Sequence, residues 1–315
     1  MSGCRFDGGD PVTASSPTPA VDVAAITRTR LRNPESISDA WAARTPGALP
    51  ADGRLMIVAA DHGARNALGV GADPMAMADR ADLLRRLVIA LDRPGVDGVL
   101  GTADILDDLV LTGVLDGRTV LGSMNRGGLQ GAAFELDDRM TGYTPWAIEA
   151  ARLDGGKMLL RIDPDDPGSL STLQSCAAAV SELAARGKMA MLEPFWSTRR
   201  DGRVVNLLDA EHVIRSVQIA SGLGDSSAHT WMKLPVVADL ERVMASTTMP
   251  TLLLGGDPTT SPEETYASWD AALQIDPVRG LIVGRALLYP PDGDVAAAVD
   301  IAAGLVHGTA NGSAG

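Results

Sequence analysis

Cysteine is nearly absent from this chain. Its 315 residues hold two, Cys4 in a polar N-terminal stretch and Cys176 inside a helical pattern. A disulfide framework is not supported, and a reducing, cytoplasmic compartment is expected. No apolar run is long enough to span a membrane. The opening MSGCRFDGGDPVTASSPTPA has no basic end followed by an apolar core, so no signal peptide is read. Positive charge is also in deficit, with 27 basic residues against 40 acidic ones and a net charge of −13. That balance argues against nucleic acid or anionic membrane as a partner. An anionic small molecule is still allowed, because a few fixed donors make a local positive site.

Lysine is scarcer still. Lys157, Lys188 and Lys233 are the only three, against 24 arginines. The chain uses Arg wherever a positive charge is all that is needed, so the remaining lysines carry unusual information. An arginine keeps its proton, whereas a desolvated lysine becomes a nucleophilic amine. Metal-binding patterns are missing too. The four histidines, His62, His212, His229 and His307, form no HxH, HExxH or Cys/His cluster, so no metal site is expected. No other cofactor is expected either.

What is present is a regular alternation. Eight short apolar runs suit buried parallel strands: LMIVAADH (55–62), GVDGVLGT (95–102), TVLGSMN (119–125), KMLLRID (157–163), MAMLEPFW (189–196), TWMKLPV (230–236), TLLLGGD (251–257) and GLIVGRALL (280–288). Amphipathic segments at helical spacing lie between them, and SPEE (261–264) has the Ser, Pro and Glu of a helix start. Eight strands alternating with helices predict an α/β fold, a (β/α)8 TIM barrel in a single domain over residues 51–308. The alternative is an open doubly wound sheet, but no GxGxxG follows the first run. A helical extension with Pro34 near a helix start is expected over 21–50, and disordered tails over 1–20 and 309–315.

In such a barrel the reactive groups gather at the C-terminal ends of the strands. Lys233 sits in an apolar run where a permanent charge is costly, and burial favours its neutral amine, the form that attacks a carbonyl. The alternative for Lys233 is a buried ion pair with a carboxylate. Asp61 and Glu193 are the carboxylates placed to move protons, or to make structural hydrogen bonds and ion pairs. Lys157 opens the fourth run and either tunes Lys233 by like charge or pairs with a carboxylate. Lys188 belongs to the opposite surface and is assigned no role. Gly255, Gly256, Gly284 and Arg285 stand where barrels often bind phosphate, the alternative being ordinary turns and a surface arginine. His62 and Arg161 complete the expected substrate contacts.

These motifs together resemble the class I, Schiff-base aldolases that include tagatose-bisphosphate and archaeal-type fructose-bisphosphate aldolases. VAADHG (58–63) is similar to their first-strand motif, and KMLLRID to the fourth-strand motif that opens with a lysine. MLEPF matches the strand 5 LEP motif, and MKLPV the strand bearing the Schiff-base lysine. GGD and VGRALL resemble the phosphate-binding ends of strands 7 and 8. The resemblance spans roughly residues 50–305. It implies Lys233 as Schiff base, Asp61 and Glu193 as catalytic carboxylates, and Lys157 as a supporting residue. Gly255, Gly256, Gly284 and Arg285 would hold a phosphate. Two positions differ from the pattern: Glu193 and Phe195 stand where the archaeal-type enzymes use a strand 5 tyrosine, and His62 stands where the tagatose-bisphosphate enzymes have Gln. Both differences separate this chain from the bisphosphate sugars of those enzymes.

The resemblance is nearest to aldolase-like barrels of actinobacterial inositol-catabolism clusters. It implies cleavage of 6-phospho-5-dehydro-2-deoxygluconate to dihydroxyacetone phosphate and malonate semialdehyde. A Schiff-base transferase and a non-catalytic sugar-phosphate-binding barrel are the alternatives. Barrels of this kind often form homo-oligomers, and nothing in the sequence sets a subunit number.

Overall fold

The apolar runs form strands because β-branched and long aliphatic side chains pack well on both faces of a buried sheet. In the computed structural model, which describes residues 21–255 and 261–308, nine strands form one sheet. They are β1 (Leu55–Ala59), β2 (Gly98–Gly101), β3 (Thr119–Ser123), β4 (Gly155–Ile162), β5 (Met189–Arg200), β6 (Arg203–Leu207), β7 (Thr230–Pro235), β8 (Thr251–Leu254) and β9 (Val278–Val283). Eight of them pair in parallel in the order β4-β3-β2-β1-β9-β8-β7-β5, and β4 pairs with β5 to close the ring. The fold is therefore the expected (β/α)8 barrel. The tails at 1–20 and 309–315 lie outside the described residues.

The helices are α1 (Val23–Arg32), α2 (Glu35–Ala43), α3 (Arg80–Leu91), α4 (Ala103–Val110), α5 (Pro145–Ala150) and α6 (Gly168–Ala185). Those that follow are α7 (Ala210–Ser221), α8 (Leu240–Met244), α9 (Pro262–Leu273), α10 (Arg285–Leu288) and α11 (Val295–His307). SPEE does open α9, where Ser261 and Glu264 form a reciprocal capping box. Helices α1 and α2 precede the barrel and pack on α4, through Arg30 to Asp108 and the Trp41 indole N–H to Asp107. The chain then crosses the N-terminal ends of β3 and β4, where Arg44 donates to the carbonyls of Arg118 and Arg152.

The ninth strand is the feature the sequence reading missed. Instead of ending at Trp196, β5 continues to Arg200, turns at Asp201-Gly202 and returns antiparallel as β6. Both turn residues have positive φ, 50° and 76°. That is the two-residue hairpin geometry for which Asp-Gly is a strong local signature. A second difference lies at the end of β9: Gly284 and Arg285 follow the strand, and Arg285 opens the short α10.

Period-two alternation decides what each strand offers the barrel interior. Leu55, Ile57 and Ala59 face inward with Leu100, Leu121, Met191, Leu252 and Ile282, while Met56 and Val58 face the helices. The same alternation turns Met158, Leu160 and Ile162 of β4 outward, so Lys157, Leu159 and Arg161 take the inner face. On β5 it turns Glu193 and Phe195 inward, and on β7 Lys233. The lower barrel is thus aliphatic and its upper layers are ionisable.

At the N-terminal face, α11 ends on a half-buried polar clasp. His307 Nδ1 lies 2.6 Å from Asp52 Oδ2, and its Nε2 lies 3.1 Å from Asp97 Oδ2. Burial disfavours the imidazolium, but Asp52 and Asp97 outweigh it and raise the His307 pKa. A raised folded-state value means stability that is fully present below the ordinary histidine value of about 6.5 and lost as pH rises through the folded value. The urea midpoint of wild type should therefore exceed that of His307→Asn by more at about pH 6 than at about pH 9.

Candidate active site

The inward residues of β1, β4, β5 and β7 converge on one buried network. Glu193 and Leu159 are register partners, so Lys157 starts about 7 Å lower along the barrel and reaches up past Leu159. Its Nζ ion-pairs with Glu193 Oε2 and lies 3.3 Å from Asp61 Oδ2. The β5–β7 register pairs Met191 with Trp231, and its continuation sets Glu193 level with Lys233. Lys233 Nζ lies 3.0 Å from Glu193 Oε1. One carboxylate therefore holds two amines, one on each oxygen.

Asp61, two residues beyond β1, is the second anion. It accepts from Ser123 Oγ at 3.0 Å and is paired with the Arg126 guanidinium, whose Nε donates to Ser123 Oγ at 3.0 Å. Arg126 was not anticipated from the sequence. It lies in a glycine-rich loop, where an arginine has no pattern to set it apart, and only the fold brings it to Asp61. The network now holds three cations, Lys157, Lys233 and Arg126, and two carboxylates, Asp61 and Glu193. Fully ionised, it carries one excess positive charge in a water-poor interior, and release of one lysine proton removes that excess.

The shifts follow this count. Burial lowers the Lys233 pKa against the opposing pull of Glu193, with Arg126 and Arg65 adding like charge. Burial and then Arg126 bring Lys157 well below the ordinary lysine value. Burial works to raise Glu193, but Lys157, Lys233 and Arg126 prevail and keep it ionised well below the usual carboxylate range. Arg126 is brought down by burial to about 10.

Above the network is a cavity of about 490 Å3. Its floor includes Asp61, Arg126, Glu193 and Lys233, and its walls include His62, Arg65, Phe195, Gly255, Trp269, Gly284 and Arg285. Asn206, from the unexpected hairpin, and Leu208 just after it form part of the rim. Lys157 is fully buried and does not line this space. Of the two interior amines, Lys233 is the one that meets it.

His62 has a buried Nδ1 with no hydrogen-bond partner among the described residues. Burial, followed by the charges of Lys233 and Arg285, drops its pKa well below the ordinary histidine value, so the ring is neutral. Gly284 is sterically required, since a Cβ there would strike the Ala59 carbonyl and the His62 ring. At Gly255 a Cβ would strike Val283. The Arg285 Nη1 donates to the Gly69 carbonyl at 3.3 Å. Gly256 lies outside the described residues.

Arg161 also reaches the cavity, from the inner face of β4. Although it borders the cavity, each of its three nitrogens has a protein acceptor: Nε and Nη2 reach Asp138, Nη1 reaches Glu135, and Nη2 also meets the Gly128 carbonyl at 3.0 Å. Its guanidinium is committed to the loop after β3, where Glu135 and Asp138 sit too far along the chain for local spacing to reveal the pairing.

The (β/α)8 fold is similar to that of solved class I aldolases. An archaeal fructose-1,6-bisphosphate aldolase with its catalytic lysine bound to a carbinolamine intermediate aligns over 86% of this chain and 99% of its own, at 20% identity and TM-score 0.62. A Schiff-base-forming fructose-1,6-bisphosphate aldolase aligns over 86% and 100%, at 19% identity and TM-score 0.62. The chain belongs to the Cgl0159-like family, whose model matches residues 53–303. Cgl0159 from Corynebacterium glutamicum is 55% identical over 91% of this chain and 97% of its own, with TM-score 0.89. Comparison with curated proteins gives no match.

Lys157 keeps two buried carboxylates compensated, so its loss should be felt as stability. Lys157→Met is expected to lower the unfolding free energy by about 3–5 kcal/mol. Lys188→Met, away from this network, should change it by less than about 0.5 kcal/mol. Urea denaturation at neutral pH measures both.

Proposed function

We propose that this protein is a metal-independent, lysine-dependent aldolase that cleaves a phosphorylated keto-sugar or keto-sugar acid. The observation that carries the reading is the contrast between the two interior lysines. Both are buried and share Glu193, yet only Lys233 meets the cavity. Arg126 and Arg65 supply the like charge that favours a neutral amine at Lys233.

The chemistry follows from those positions. Neutral Lys233 attacks the substrate ketone, forming a C–N bond, and the carbonyl oxygen leaves as water. The resulting iminium accepts electrons. Glu193 or Asp61 takes the proton from the hydroxyl on the β carbon, the C–C bond breaks toward the iminium, and an aldehyde departs. The remaining enamine takes a proton on carbon, and water hydrolyses the iminium to return the ketone and the amine. Gly255, Gly256, Gly284 and Arg285 are the proposed phosphate anchor, and neutral His62 is a proposed contact to the substrate. Cleavage of 6-phospho-5-dehydro-2-deoxygluconate to dihydroxyacetone phosphate and malonate semialdehyde is the specific reaction proposed, on the resemblance of the motifs.

Borohydride treatment with dihydroxyacetone phosphate in EDTA is expected to leave a reduced adduct on Lys233 and none in Lys233→Ala. The lowered pKa of Lys233 places its neutral form at lower pH than an ordinary lysine, so trapping should level off below pH 10.5. An adduct on Lys157 would reverse the roles of the two lysines, and no adduct on folded protein would remove the aldolase reading.

A further inference from the structure

Among the described residues, one cation in the cavity wall, Arg65, has no ion-pair partner. Arg65 ends the single 3-10 turn that follows β1 (Gly63–Arg65), and its backbone is tied on both sides. Its N–H donates to the His62 carbonyl at 3.2 Å, and its own carbonyl accepts the Gln130 N–H at 2.9 Å. The guanidinium lines the cavity, and its Nη1 is buried with no hydrogen-bond acceptor among the described residues.

The neighbouring charges are already committed. The carboxylates whose charge reaches Arg65 are Glu193, Asp138 and Glu135. Glu193 is held by Lys157 and Lys233, and the other two by Arg161. A buried donor without an acceptor is costly, and a guanidinium does not escape by shedding its proton. The arrangement suits an anion arriving from the cavity.

Position says which end of a substrate that anion belongs to. The groups around Arg65 come from β4, β5 and the loop after β3, whereas the proposed phosphate anchor follows β8 and β9. Four steps of the closed ring separate β4 from β9, so the groups around Arg65 lie across the ring from that anchor, although its own loop follows β1, the neighbour of β9. Resting on the aldolase reading, we infer that Arg65 binds an anionic group, carboxylate or phosphate, on the half of the substrate released as aldehyde. The natural substrate then carries negative charge at both ends.

The condensation direction tests this with aldehydes matched in carbon-chain length. Dihydroxyacetone phosphate is offered with succinate semialdehyde against butyraldehyde, and with glyceraldehyde 3-phosphate against glyceraldehyde. Wild type should favour one charged aldehyde over its neutral counterpart by at least about tenfold in kcat/KM. The pair with the larger ratio identifies the anion. Arg65→Gln should bring that ratio to within about twofold of unity, and Arg65→Lys should restore part of it. Borohydride trapping of dihydroxyacetone phosphate alone should still mark Lys233 in Arg65→Gln, with its pH dependence moved upward by the loss of one like charge beside that lysine. Equal use of charged and neutral aldehydes by wild type, or a charged-to-neutral ratio left unchanged in Arg65→Gln, would overturn the inference. Failure of wild type to trap the ketone would instead strike the aldolase reading itself.

Discussion

Everything at the top of this barrel depends on one carboxylate standing between two amines. Glu193 gives one oxygen to Lys157 and the other to Lys233. Without it, two buried ammonium groups would repel each other in a region with little water to screen them. With it, Asp61 and Arg126 can join the same network, and the group as a whole sits one proton away from neutrality. Ring closure makes this possible, because β1, β4, β5 and β7 reach a common interior although they are not consecutive around the barrel.

The network is held from outside by a second set of polar contacts. Asn125 bridges β4 and the loop after β3: its Nδ2 donates to the carbonyls of Leu159 and Asp138, and its Oδ1 accepts the Leu159 N–H at 2.7 Å. Arg161 then pairs with Asp138 and Glu135 from the same loop. The backbone flanking Arg126 is thereby fixed, and a fixed guanidinium keeps Asp61 in place at little further entropic cost. Below these layers, leucine, isoleucine, methionine and alanine fill the barrel, so the ionisable groups rest on a packed aliphatic plug.

The parts legible in the sequence are those with a local pattern. Eight apolar runs alternating with amphipathic segments specify the barrel, and three lysines among so many arginines mark two of its interior positions. The unread parts depend on pairings between distant loops. Arg126 and Arg65 sit in loops with no periodicity, and Glu135 and Asp138 find Arg161 only once β3 and β4 are side by side. The hairpin was readable in principle, since Asp201-Gly202 is a strong turn signature. Its hairpin segment, with Arg199, Arg200 and Arg203 around the turn, lacked the hydrophobic alternation that would have drawn attention to it.

The scarcity of lysine has a consequence beyond the interior. Aldehydes and ketoses condense with any accessible neutral amine, so a protein proposed to hold such carbonyls is exposed to glycation by its own reactants. Here two of the three lysines are enclosed in the barrel and only Lys188 lies outside it. Ion pairs on the outer surface, such as Arg93 to Asp300 and Arg85 to Asp82, are made by guanidinium groups that form no Schiff base with a simple sugar. Confining the amines to the interior restricts imine chemistry to a place where it is reversible and useful, and it shields the rest of the molecule from slow carbonyl damage.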